Sequence, residues 1–246
     1  EFTPSHTKRP TAYQSEAELE QDFIKQLQLQ AYEYISIHTE DELIANLRKQ
    51  LEKLNNYQFT DQEWAHFFKT KIANQAYGIA EKTAIVQEDH IQLLEREDGT
   101  TKNIYLLDKE HIHNNHLQVI NQYTTDKGSH NNRYDVTVLV NGLPLVHIEL
   151  KRRGGDLKEA FNQINRYQRE SFWAGSGLFE YIQVFVISNG TYTKYYSNTT
   201  RQTHIKEMGS ANVRKGKRTS NSYEFTSWWA DANNKPITDL LDFAKT

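Results

Sequence analysis

Three residues of this 246-residue chain point most directly to chemistry by type and spacing: Asp135, Glu149 and Lys151. They lie in RYDVTVLVNGLPLVHIELKRRGG, residues 133–155, where two apolar runs flank Asn141-Gly142. Charges in such runs are costly to bury unless they are paired or hold an ion. Two carboxylates with the backbone carbonyl of Leu150 would make a hard oxygen site of the kind Mg²⁺ takes, with several waters retained. Lys151 would orient an attacking water, help deprotonate it, or stabilise charge on a phosphate. A bound metal lowers the pKa of water and neutralises developing charge, so the set suits phosphodiester hydrolysis.

The elements must place these groups together. The alternation of residues 143–151 predicts a strand with His147, Glu149 and Lys151 on one face and Val146, Ile148 and Leu150 on the other. Asp135, Thr137 and Leu139 share a face of the preceding strand. Register then decides the site. A strict two-residue Asn-Gly turn pairs Val140 with Leu143 and turns Asp135 away from Glu149. A three-residue loop with Gly142 as a bulge brings Asp135 opposite His147, so the bulged or an otherwise shifted register is expected.

After the hairpin, residues 156–170 read as a helix with Asp156 and Glu159 at its start. Its buried face is expected to be Leu157, Ala160, Phe161, Ile164 and Tyr167, with Gln163 at the edge. Gln163 and Tyr167 are four apart and therefore neighbours, able to project toward the hairpin's exit end. Upstream, Ser15 with Glu18, and Thr60 with Glu63, are capping boxes for helices. The apolar stripe of residues 40–54 (Leu43, Leu47, Leu51, Leu54) predicts another helix, so the first eighty residues are expected to be mainly helical. From about Thr83, AIVQ, HIQLLERE, NIYLLD, HLQVINQYTT, YIQVFVISNG and TYTKYYSN read as strands, with a turn at Asp98-Gly99. Phe172 and Trp173 are expected to pack, and Trp228 and Trp229 to belong to a packed element. Helices followed by strands with one crossover helix argue for a mixed α/β fold.

Composition narrows the classes. Net charge is −3, so any nucleic-acid surface must be local. The absence of Cys excludes disulfides and thiolate metal sites. An intracellular home is expected. No apolar run approaches the roughly 18 residues of a membrane helix, and no signal peptide is evident. Residues 201–222 form a polar stretch with Arg201, Lys206, Arg214, Lys215, Lys217 and Arg218 against one acid, Glu207. GSANVRKGKRTS is not a phosphate-binding loop: its glycines are too far apart and Arg218 stands where Ser or Thr is needed.

Asp135, then Glu149-Leu150-Lys151, then QINRY at 163–167 resemble the PD-(D/E)xK nuclease superfamily. With EAFNQINRYQRES, VFVISNGTYTKYYSN and ELEQDFIKQL, they look like the N-terminal nuclease domain of the R subunit of type I restriction–modification enzymes. Tyr134 stands where the motif is named for Pro. The resemblance implies a restriction-endonuclease-like core with a central mixed sheet flanked by helices. It implies Asp135 and Glu149 as Mg²⁺ ligands with the Leu150 carbonyl, Lys151 as the catalytic lysine, and Gln163 and Tyr167 as a helix motif needed for cleavage. It draws attention to Glu20, an acid within the stripe of Phe23, Ile24 and Leu27, beside Lys151 or a metal-bound water. Arg152, Arg153, Arg166, Arg214, Lys215, Lys217 and Arg218 are candidate phosphate contacts, and His147 a candidate supporting group. Double-stranded DNA and the methyltransferase and specificity subunits are the implied partners, in a bacterial or archaeal cytoplasm. ATP would be used only by a translocase expected beyond Thr246. The organisation expected is an arm at 1–14, a nuclease domain at 15–230 and the start of a linker at 231–246. Rival readings are a docking module inactive alone, with an exposed apolar end from Ile237 to Phe243, and a structure-specific resolvase of the same superfamily.

Overall fold

The computed structural model describes residues 13–125, 132–198 and 221–245. Its central element is a six-stranded mixed sheet in the order β1-β4-β5-β6-β7-β8. These strands are β1 (Glu33–Tyr34), β4 (Leu117–Thr125), β5 (Asn132–Val140), β6 (Leu143–Leu150), β7 (Val184–Ser188) and β8 (Thr193–Ser197). Two small antiparallel pairs stand apart: β2 (Ile91–Glu95) with β3 (Thr101–Tyr105), and β9 (Trp229–Ala230) with β10 (Pro236–Ile237). The fold is thus mixed α/β, as expected.

The chain divides into two compact units. One comprises residues 1–31, 146–166 and 183–246. Here α1 (Glu16–Gln28) opens on the expected capping box, with Ser15 accepting from the Glu18 amide and Glu18 accepting from the Ser15 amide. β6 and β7 run parallel, placing His147 beside Phe185 and Glu149 beside Ile187. Both faces of β6 are buried there, as is usual for parallel pairs. Phe161, on α5 (Leu157–Glu170), meets Tyr196 on the antiparallel neighbour β8. The segment Ile237–Phe243 does not form the exposed apolar end expected. Ile237 and Leu240 are buried, and Asp239 caps the short helix α6 (Leu240–Phe243). Trp228 and Trp229 do lie at a strand, but both rings are exposed. Trp228 instead faces the Lys194 ammonium 5.0 Å from its ring centre.

The other unit comprises residues 32–145 and 167–182. Thr39 and Glu42 cap α2 (Glu40–Asn55), and Thr60 and Glu63 cap α3 (Asp61–Phe67), which runs on as a π-helical turn over Phe68–Ile72. The strand expected at AIVQ is instead part of α4 (Ile79–Gln87). Its β-branched run misleads because the burial is helical: Lys82, Thr83, Ile85 and Val86 face inward. Lys82 is fixed there by Glu180 at 2.7 Å and the Gly177 carbonyl at 2.9 Å. A buried ammonium placed this way ties the turn of helix to Glu180 and Gly177. β4 runs antiparallel to β5, and an aromatic core of Tyr123, Tyr134, Tyr167, Phe172 and Phe179 packs at one end. Phe172 packs as expected; Trp173 is half exposed instead, its indole N–H donating to the Arg169 carbonyl. Among the described residues no helix is long and apolar enough to cross a membrane.

Candidate active site

Strand β6 brings one half of the predicted constellation together. His147 and Glu149 are both fully buried. The imidazole Nε2 lies 3.2 Å from Glu149 Oε2, and Lys151 Nζ lies 3.7 Å from Glu149 Oε1. These three side chains share a face because strand side chains repeat every two residues. Lys151 has a second acid near it, Glu16 Oε1 at 3.9 Å, and the same carboxylate accepts from the Arg152 amide at 3.4 Å. Sequence reasoning missed Glu16. Its only signal was an acid in the first turn of a capped helix, which reads as dipole compensation. Glu20, the acid expected on that helix, is buried beside Leu19, Phe23 and Ile24. The Lys151 amide donates to the Ser188 carbonyl at 2.8 Å, which fixes where the strand ends and the lysine emerges.

Asp135 lies half-buried on β5. The ladder to β4 pairs Asn121 with Val136 and Tyr123 with Tyr134. Gln122, between them and across from Asp135, has φ 54. A non-glycine residue in the left-handed region of a strand is uncommon and marks a local departure from regular pleat. Tyr167 lies on the buried face of α5, as the helix period predicted. It is 1% exposed, and its hydroxyl donates to the Arg133 carbonyl at 2.8 Å, two residues before Asp135. The ring stands 4.8 Å from that of Tyr134. Burial of the Tyr134 phenol, more than anything else, pushes its pKa up.

The hairpin turn corrects the expected bulge. β5 ends at Val140, β6 begins at Leu143, and the two residues between have φ 50 and 84. Two central residues at positive φ are what a type I′ turn demands, and Asn-Gly is its preferred sequence. Tertiary contacts hold it tight. The Asn141 side chain donates to the Leu106 carbonyl and to Asn115 Oδ1, and accepts from the His116 amide. A Cβ on Gly142 would sit 2.6 Å from Leu47 Cα, so α2 lies directly against the turn.

The remaining candidates are dispersed. Gln163 is half-buried on α5, next to the buried face of Leu157, Ala160, Phe161, Ile164 and Tyr167 that the spacing predicted. Asp156 caps that helix by accepting from the Lys158 amide. Arg153 is engaged with Gln14 Oε1 at 2.9 Å and Thr191 Oγ1 at 3.0 Å, while Arg152 and Arg166 are exposed. Arg214, Lys215, Lys217 and Arg218 lie outside the described residues, as do Arg201 and Lys206. Among the described residues no three His, Asp or Glu side chains form a ready metal cage.

Comparison with known proteins bears on this arrangement. Residues 13–204 match the family described as "Type I restriction enzyme R protein N terminus". The type I restriction enzyme EcoprrI endonuclease subunit of Escherichia coli is 45% identical over 236 residues, 96% of this chain and 70% of that protein. The SsaAORF53P endonuclease subunit of Staphylococcus saprophyticus is 39% identical over 239 residues, 95% of this chain but 23% of that protein. A putative Methanocaldococcus jannaschii endonuclease subunit, MjaIXP, is 30% identical over 115 residues, 45% of this chain and 11% of that protein. The chain thus spans most of the first relative and about a quarter of the second. It belongs to the N-terminal family of type I restriction enzyme R subunits.

Proposed function

We propose that this chain is a Mg²⁺-dependent endonuclease domain with a PD-(D/E)xK core. It hydrolyses phosphodiester bonds of double-stranded DNA when coupled to an ATP-driven translocase in its parent subunit, with methyltransferase and specificity subunits as partners. The observation that carries the reading is the β6 cluster. A fully buried carboxylate, Glu149, has the Lys151 ammonium 3.7 Å away, at the strand end where the lysine leaves the sheet. Burying a carboxylate costs several kcal/mol unless donors or a cation compensate it. Apolar packing alone would not place one here.

The donor chemistry fits Mg²⁺: carboxylate oxygens of Glu149 and Asp135 and the Leu150 carbonyl, with no thiolate in the chain. When bound, the ion would polarise the phosphate and acidify a water. Lys151 holds a positive charge beside the reacting phosphate or orients the water, with Glu16 keeping the ammonium in place. Gln163 is assigned to the DNA side of α5 and Glu20 to support from α1. Tyr167 acts through the backbone, by anchoring the strand that carries Asp135.

The reading makes one demand on β5. A two-residue turn with unbroken alternation would give Asp135 and Glu149 opposite faces. Their joint action therefore requires a departure from alternation between Asp135 and Glu149. Titrating Mg²⁺ into supercoiled plasmid with the parent complex tests the reading. Wild type is expected to nick and linearise the plasmid, and Asp135→Asn and Glu149→Gln each to reduce cleavage by at least about a hundredfold. Cleavage by Asp135→Asn at the wild-type rate would remove Asp135 from the site.

A further inference from the structure

We infer that His147 is the positioning residue of this site, fixing the Glu149 carboxylate by hydrogen bonding to Oε2 so that Oε1 is presented toward Lys151. The inference rests on the nuclease reading above and adds a residue to it. A carboxylate that ligates a metal is ionised and can only accept hydrogen bonds, so on the nuclease reading the His147 Nε2 at 3.2 Å is the donor. Both side chains are fully buried, so no bulk water competes for either. His147 stands two residues before Glu149 on one strand face, with Phe185 alongside at a ring-centre distance of 6.5 Å. The strand and the aromatic neighbour thus both restrict where the imidazole can point. One oxygen of Glu149 is directed at the imidazole and the other at the ammonium, which leaves the carboxylate little freedom to rotate. Groups that hold a ligating carboxylate or imidazole in this way typically change metal affinity about 10- to 100-fold when removed.

The test uses Mn²⁺ as the probe, with its free-ion electron paramagnetic resonance signal reporting binding to the 246-residue chain. Glu149→Gln is expected to abolish binding. His147→Leu is expected to weaken it about tenfold or more. His147→Gln, which keeps an N–H donor, is expected to stay within about threefold of wild type. A His147→Leu variant that binds like wild type, beside a Glu149→Gln that does not bind, would overturn the role of His147 and leave the nuclease reading standing. Absence of binding by wild type, or unchanged binding by Glu149→Gln, would overturn both. If His147→Leu fails to fold, the imidazole ¹⁵N spectrum of the wild-type chain decides. A proton on Nε2 is expected; an Nε2 without a proton overturns the inference.

Discussion

Tyr167 is a buried side chain whose polar end holds backbone rather than water. Its ring packs on Tyr134 and Phe172, and its hydroxyl holds the Arg133 carbonyl. Tyr167→Phe leaves that carbonyl without this partner and is expected to cost about 1–2 kcal/mol, read as a lower urea midpoint with an unchanged slope. It should reduce cleavage without abolishing it, because Asp135 is loosened rather than removed. Asp135, Glu149 and Lys151 stand out in the sequence as charges within apolar strand runs, whereas Gln163 and Tyr167 are singled out only by the family resemblance. What the Tyr167 hydroxyl meets was not legible, since a helix period places a residue on a face without saying whether its polar end finds water or backbone. Glu16 was hidden for a similar reason: its approach to Lys151 depends on α1 lying beside the end of β6.

At the level of elements, capping chemistry was the most readable feature. Both boxes read from the sequence, Ser15 with Glu18 and Thr60 with Glu63, formed, and Thr39 with Glu42 makes a third. Each box depresses its glutamate. For Glu18, hydrogen bonds from Ser15 lower the pKa; for Glu42, those from the His38 and Thr39 amides do so. Glu63 is pushed up by burial, but hydrogen bonds from the Thr60 amide and the Tyr57 hydroxyl outweigh that, and it too lies below the usual value. A carboxylate depressed in the folded state adds stability above its unfolded pKa and loses it as pH falls through the folded one. The urea midpoint of the chain should therefore fall as pH drops below about 4.5, and Glu63→Gln should flatten that decline. At neutral pH, Thr39→Ala should cost about 1 kcal/mol by the same measurement. The turn is the element that sequence misjudged. Asn-Gly permits both a tight and a bulged connection, and Asn141's buried hydrogen bonds with the approach of Leu47 to Gly142 select the tight one. Gly142→Ala combines a disfavoured left-handed backbone with a clash against Leu47. It is expected to cost about 2–4 kcal/mol, visible as a large drop in thermal midpoint. α4 was misread because its inward face is fixed by Lys82 reaching Glu180 and Gly177, a distant contact that no local window contains.

For the molecule as a whole, the mixed α/β class was legible because hydrophobic periodicity changes from helical to strand-like along the chain. Strand order was not, because β1 is only two residues long and joins the sheet beside β4, far away in sequence. The basic segment around residues 201–218 and its proposed contact with phosphates lie outside the described residues. On the proposed reading, Glu149→Ala and Lys151→Ala in the parent subunit separate DNA cleavage from DNA-stimulated ATP hydrolysis when the two are measured side by side. Both variants are expected to lose cleavage and keep ATP hydrolysis near the wild-type rate. Cleavage that survives both substitutions would contradict that reading.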